Sequence, residues 1–198
     1  MIWLALAAQL SAPVPTNDLL VRPADVPLEL LRADEMKLVQ FRITVTPAGK
    51  SQDCQIELSS GNPKIDAMTC SVIKRRAHFR PATDVNGNAA YGVYRAFITW
   101  WMGDNSKAPP SVTTRDLDIT VKTLPRGVQS PVPVKLMIAV DADGHPSSCK
   151  GERATDNPGL VEAGCGQLVK AYTAVPARSS TGTLVPSVQT ATVLFMKG

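Results

Sequence analysis

Apolar and polar residues alternate over Phe41, Ile43 and Val45, and again over Leu136, Ile138 and Val140. A period of two predicts half-buried strands with those residues on one face. Behind each lies a turn signal, T-P-A-G-K at 46–50 and D-A-D-G-H at 141–145. A second strand follows the first turn, with Cys54, Ile56 and Leu58 on one side. The pattern then changes period. Asn62-Pro63 and Asn157-Pro158 each place a capping side chain before a proline at the first helical position, where the missing N–H costs nothing. The first helix is predicted to run to about His78, with Ile65, Met68, Val72 and Ile73 on its apolar stripe. The second is expected to be weaker, because Gly159, Gly164 and Gly166 fall inside it, each costing up to about 1 kcal/mol relative to Ala. Tyr94, Ala96, Ile98 and Trp100 then alternate as a closing strand, as do Gln189, Ala191, Val193 and Phe195. Two further elements precede these units, a helix at 28–36 and a strand carrying Leu117, Ile119 and Val121.

Slid on itself by 95 residues, the chain superimposes its landmarks: Gly49 on Gly144, Cys54 on Cys149, Cys70 on Cys165, Pro81 on Pro176, Gly87 on Gly182 and Trp100 on Phe195. A period of that length is too long for a solenoid unit. It predicts an α+β chain of two tandem small domains. Each is a three-stranded antiparallel sheet in the order β-β-α-β, packed on one helix. The expected boundaries are 1–12 for a short export signal, 13–103 for the first domain, 104–113 for a polar, proline-bearing linker and 114–198 for the second.

Composition adds little to that outline. Charged residues make up 19% and aromatics 5% of the chain, which describes a globular protein with an aliphatic core. The net charge of +4 comes without a basic stripe interleaved with aromatics, so nucleic acid is not an expected partner. Lys74-Arg75-Arg76 falls in the last turn of a predicted helix, where cations complement the dipole. The apolar run from Ile2 to Ala8 reads as an export signal cleaved near Ala12, although no cation precedes it and Leu10 stands at the −3 position. It is too short to span a bilayer, and no other span is expected.

Cys54 and Cys70 bracket a strand and the helix covering it, as do Cys149 and Cys165. Matched spacing and an even count predict two structural disulfides, Cys54–Cys70 and Cys149–Cys165, in an oxidising compartment. Zinc needs closer cysteine pairs and more histidine than His78 and His145 supply. Asp141, Asp143 and Gly144 resemble the start of a calcium loop, and Glu152 stands twelfth from Asp141, but the glycine is at the wrong offset and the stretch reads as a turn. No phosphate loop, dinucleotide fingerprint or nucleophile elbow is present. No catalytic residue, metal or cofactor is expected, and the chain is read as not an enzyme.

The first copy carries a more specific resemblance. I-E-L-S-S-G at 56–61, Ile65-Asp66 at the helix start and H-F-R-P-A at 78–82 occur in that order. So do V-Q-F-R-I-T-V ahead of them and G-V-Y-R-A-F-I-T-W behind them. Together they resemble the C-terminal domain of the TonB energy-transducer family over residues 39–101. The second copy keeps the framework but has R-A-T-D-N-P for the serine turn and A-V-P-A for the helix exit. The resemblance implies the periplasm of a Gram-negative bacterium. It implies a protein-interaction role in TonB-dependent transport, in which an outer-membrane receptor segment pairs with an exposed sheet edge. The implied edge is the closing strand, with Val93, Arg95, Phe97, Thr99 and Trp101 as partner-binding residues and 188–196 as the counterpart in the second copy. Val93, Phe97 and Trp101 would lie on the face away from the helix, where packing between the two copies is an equal expectation. The other readings are a periplasmic scaffold without a transport role, a transport component proper and an enzyme with an unrecognised site.

Overall fold

The computed structural model describes residues 10–16, 22–25, 36–101, 112 and 114–198. The expected helix at 28–36 except Met36, most of the expected export signal and all of the 104–113 linker except Val112 lie outside them. Seven strands and two helices carry the architecture. They are β1 (Lys37–Val45), β2 (Ser51–Leu58), α1 (Pro63–Arg76), β3 (Gly92–Trp100), β4 (Leu117–Val121), β5 (Val132–Val140), β6 (Pro146–Gly151), α2 (Pro158–Ala171) and β7 (Ser187–Lys197). The fold is α+β and mostly sheet.

Local chemistry starts and stops each helix. The Asn62 side chain accepts from the Lys64 N–H, and that of Asn157 from the Gly159 and Leu160 N–H groups. Both helices run for 14 residues. The second is therefore no shorter than the first, despite its glycines. Gly164 is there for close approach: a Cβ on it would stand 2.9 Å from the Leu136 side chain. Burial of Leu160 and Leu168 against β5 and β7 outweighs the backbone entropy those glycines cost.

In the first copy β2 pairs with β1 and β1 with β3, all antiparallel, and in the second β6 pairs with β5 and β5 with β7. Phe41, Ile43 and Val45 are fully buried under Ile73, Ala77 and Phe79. Leu136, Ile138, Val193 and Phe195 are fully buried beside Leu160 and Leu168. The two β-hairpin turns need glycine. Gly49 and Gly144 have φ of 75° and 94°, and a Cβ would lie 2.2 Å from the Phe79 carbonyl oxygen or 2.3 Å from that of Ala174.

The copies join in one seven-stranded sheet, ordered β6-β5-β7-β3-β1-β2, through a single parallel bridge between Gly92 and Val188. Beyond that bridge β3 and β7 diverge, and β4 pairs parallel with β7 over Val193–Lys197. Two equivalent strands that meet in parallel are related by a two-fold axis along the strands, which inverts the sheet's faces. The helices accordingly cover opposite faces. Each helix-free face is covered by the other copy. Ala82 of the first copy packs with Met137 and Val188 of the second, and Leu10 fills the same cluster. In return the Arg42 guanidinium donates to the Val175 carbonyl at 2.8 Å, and the Gln52 amide to that of Arg178 at 2.8 Å. Leu10 and Ser11 lie just before the expected cleavage point; Leu10 is 1% exposed and Ser11 bridges to Thr83.

Candidate functional site: the crevice between the closing strands

The Tyr91 carbonyl accepts from the Val188 N–H, so it faces β7. Backbone groups alternate sides along a strand. The N–H and C=O groups of Val93, Arg95, Phe97 and Thr99 therefore also point to that outer side, away from β1. Past Val93, whose N–H completes the bridge to Val188, no strand pairs with this side among the described residues. Trp101 follows the end of β3 and is half-buried. Val93 is buried, at 2% exposure, next to the bridge that joins the copies. The counterpart at 188–196 is not an edge. β5 pairs along one side of β7, and Gly92 and β4 take the other, so the second copy offers no equivalent opening there.

A crevice of about 420 Å³ opens where β3 and β7 part. Arg95 and Phe97 line one wall, Thr190 and Thr192 the other, and Asp116 and Lys135 reach into it. Shifted by 95 residues, Arg95 and Phe97 fall on Thr190 and Thr192. The crevice thus sits on the two-fold axis, and the short threonines of the second copy leave the space that large side chains fill in the first.

Charge is concentrated on the Arg95 side. Its Nε donates to Glu57 at 2.8 Å and its NH1 to Asp116 at 2.6 Å. Glu57 also accepts from the Gln40 amide at 2.7 Å. The second Asp116 oxygen accepts from the Thr192 N–H at 2.8 Å, and its first lies 3.4 Å from the Tyr172 hydroxyl that donates to it. Burial works against the Arg95 charge, but Asp116 and Glu57 outweigh it and raise its pKa. Arg42 sits opposite Arg95 on β1, and its burial lowers its pKa despite Glu57. Burial, and then Asp116, push the Tyr172 hydroxyl up to about 12. The Arg42 and Arg95 pair is thus held at close range by two carboxylates and a backbone carbonyl. On the second copy's side Lys135 stands 3.6 Å from Glu152 and is half exposed. Lys135 stands on the first strand of its copy, where the first copy has Gln40.

The remaining candidates resolve plainly. Cys54 is bonded to Cys70 and Cys149 to Cys165, each pair with Cα atoms 5.6 Å apart, and the chain has no free cysteine. His78 and His145 are far from one another in role: the His78 carbonyl accepts from the Thr16 N–H, while His145 is exposed in the β5–β6 turn. In that turn the Asp141 carboxylate accepts the Asp143 and His145 N–H groups. Asp141, Asp143 and His145 bring exposed donor atoms within 4.8 Å of one another. Glu152 faces Lys135 on the other side of the crevice, so the loop-like spacing does not gather one donor set. Among the described residues no helix is long and apolar enough to cross a membrane.

Reasoning from sequence passed over Asp116, Tyr172 and Arg42. The first stands beside the linker and the second at a helix end, where nothing in the pattern marks chemistry. Arg42 carried a signal, a cation on the polar side of a strand whose other side is fully apolar. Comparison with family models, with curated proteins and with solved structures finds no match for this chain.

Proposed function

We propose that this chain is a protein-interaction module of an oxidising envelope compartment, built from two TonB C-terminal-like units, that takes an extended partner segment on the outer edge of β3. The observation that carries the reading is the row of outward N–H and C=O groups at Arg95, Phe97 and Thr99. This row lies beyond the Gly92–Val188 bridge that engages Val93, and it has no strand partner among the described residues and a crevice alongside. Backbone pairing supplies affinity in such additions, and side-chain pockets supply selectivity. Two disulfides support the oxidising compartment. The periplasm, and an outer-membrane TonB-dependent receptor as the partner, rest on the sequence resemblance in the first copy.

Phe97→Pro tests it, because it removes an N–H that faces outward and leaves the β1 ladder intact. A photo-crosslinking residue at Thr99 in the periplasm should yield an adduct with an outer-membrane protein, and Phe97→Pro should abolish it. The same residue at the exposed Val169 of α2 should yield none. Equal adducts at both positions, or an adduct that survives Phe97→Pro in a protein with unchanged melting temperature, would refute strand addition at this edge.

A further inference from the structure

Because the chain is a pseudo-dimer, each place on one copy has a counterpart on the other. Between the 84–90 turn of the first copy and the β5–β6 hairpin of the second lies an open groove of about 600 Å³. Ala90, Ala139, Pro186 and Val188 form an apolar floor, and Asp84 and Asp141 stand in its lining. At the two-fold-related place the residues are Val185 for Ala90, Thr44 for Ala139, Tyr91 for Pro186 and Gln52 for Ser147. All four are larger. Gln52 spans that place to reach the Arg178 carbonyl at 2.8 Å, whereas Ser147 turns back to Ala139 at 3.2 Å. These four differences leave space on the floor of the groove, while Val85 and Ser187 in its lining are larger than their counterparts Ser180 and Gly92.

Charge differs in the same direction. The counterparts of Asp84 and Asp141 are Ser179 and Thr46, and that of Ser148 is Asp53, so two carboxylates stand here against one there. No lysine, arginine or histidine lines the groove, in a chain whose net charge is +4. One oxygen of each carboxylate is committed to turn amides: Asp84 accepts from Asn86 and Asn88, and Asp141 from Asp143 and His145. The second oxygens are loosely engaged, with the Asn88 amide at 3.4 Å and the His145 Nδ1 at 3.5 Å. Both negative charges are thus fixed in position by the backbone and retain capacity for a cation.

We infer that this groove is a second docking site, separate from the β3 edge, for a peptide segment in which an apolar side chain is flanked by lysine or arginine. The apolar side chain covers Ala90, Ala139 and Val188, and the flanking cations meet Asp84 and Asp141. An apolar floor with fixed carboxylates and no cation selects this chemistry over an acidic or a purely apolar segment.

The probe is the capped tripeptide Lys-Leu-Arg, titrated into the full isotope-labelled chain and followed by amide chemical shifts at low salt. Saturable shifts are expected at Ala90, Ala139, Ser148 and Val188, with none from capped Glu-Leu-Glu. Asp84→Asn with Asp141→Asn keeps the oxygens that accept the turn amides and should weaken binding about fivefold, the scale of two exposed ion pairs. Ala139→Leu fills the floor and should abolish the shifts. Absence of saturable shifts overturns the proposal. So do shifts confined to 141–145, equal binding of the acidic peptide, or binding unaffected by either substitution. Amide spectra of the double asparagine variant that match the parent outside the groove confirm that its fold is intact.

Discussion

Asp66 links the serine turn to the first helix. Its carboxylate accepts from the Ser59 and Ser60 hydroxyls and from the Ser60 N–H at 2.9 Å. Burial raises its pKa, but these hydrogen bonds outweigh burial and leave the net shift downward. A carboxyl with a lowered folded-state pKa contributes stability that is complete above its unfolded pKa and is lost as pH falls through the folded value. Asp66→Ala should therefore cost about 1 kcal/mol at neutral pH, as for loss of a cap, and the difference from the parent should vanish at the acid end. Denaturant melts from neutral pH to about pH 2 measure both. In the second copy the same work passes to Asp156, which accepts from the Arg153 N–H at 3.0 Å and its Nε at 3.0 Å. That explains how the turn survives the loss of the serine signature.

At the scale of elements, each disulfide ties a sheet-edge strand to the helix above it. Both pairs close a sequence separation of 16, for which the chain-entropy account gives about 3 kcal/mol. Replacing Cys149 and Cys165 with Ala should cost about that much, and amide exchange should rise more in α2 than α1 rises when Cys54 and Cys70 are replaced. The reason is composition: α2 carries three glycines, and α1 none. Equal exchange in the two helices would contradict it. The strand and helix positions were legible in the sequence because they depend on period-two and period-3.6 patterning and on Asn-Pro caps, all local. The strength of α2 was not, because Gly164 is set by its approach to Leu136, a residue 28 positions earlier.

At the scale of the whole molecule, the copies meet through an apolar cluster around Ala82, Met137 and Val188 and through a polar group around Arg95, Asp116 and Tyr172. The Tyr172 hydroxyl, with its pKa pushed up to about 12, reports on the polar group. A raised pKa on this acid means its contribution is present below the ordinary tyrosine value and is lost as pH rises through the folded one, a window from about 10 to about 12. Ultraviolet titration should show one of the three tyrosines ionising last, and Tyr172→Phe should remove that step. Asp116→Asn should bring it earlier, because it removes the neighbouring negative charge that burial leaves unscreened.

Repetition, the two β-β-α-β units, their caps, their disulfides and the sided pattern of each strand were determined by the sequence itself, because each depends on neighbours within a turn or on a spacing that recurs. The resemblance named the closing strand of either copy as an edge and did not separate the two. Only the tertiary structure decided that β3 and β7 meet in parallel at Gly92 and Val188, which sends the helices to opposite faces and uses up the second copy's edge. It also decided that Arg42, Asp116 and Tyr172 converge, and that small side chains from both copies line the groove between the 84–90 turn and the β5–β6 hairpin. These features depend on side chains brought together from distant parts of the chain, and on differences in size between equivalent positions. Hydrophobic period cannot register either, since it is the same in both copies.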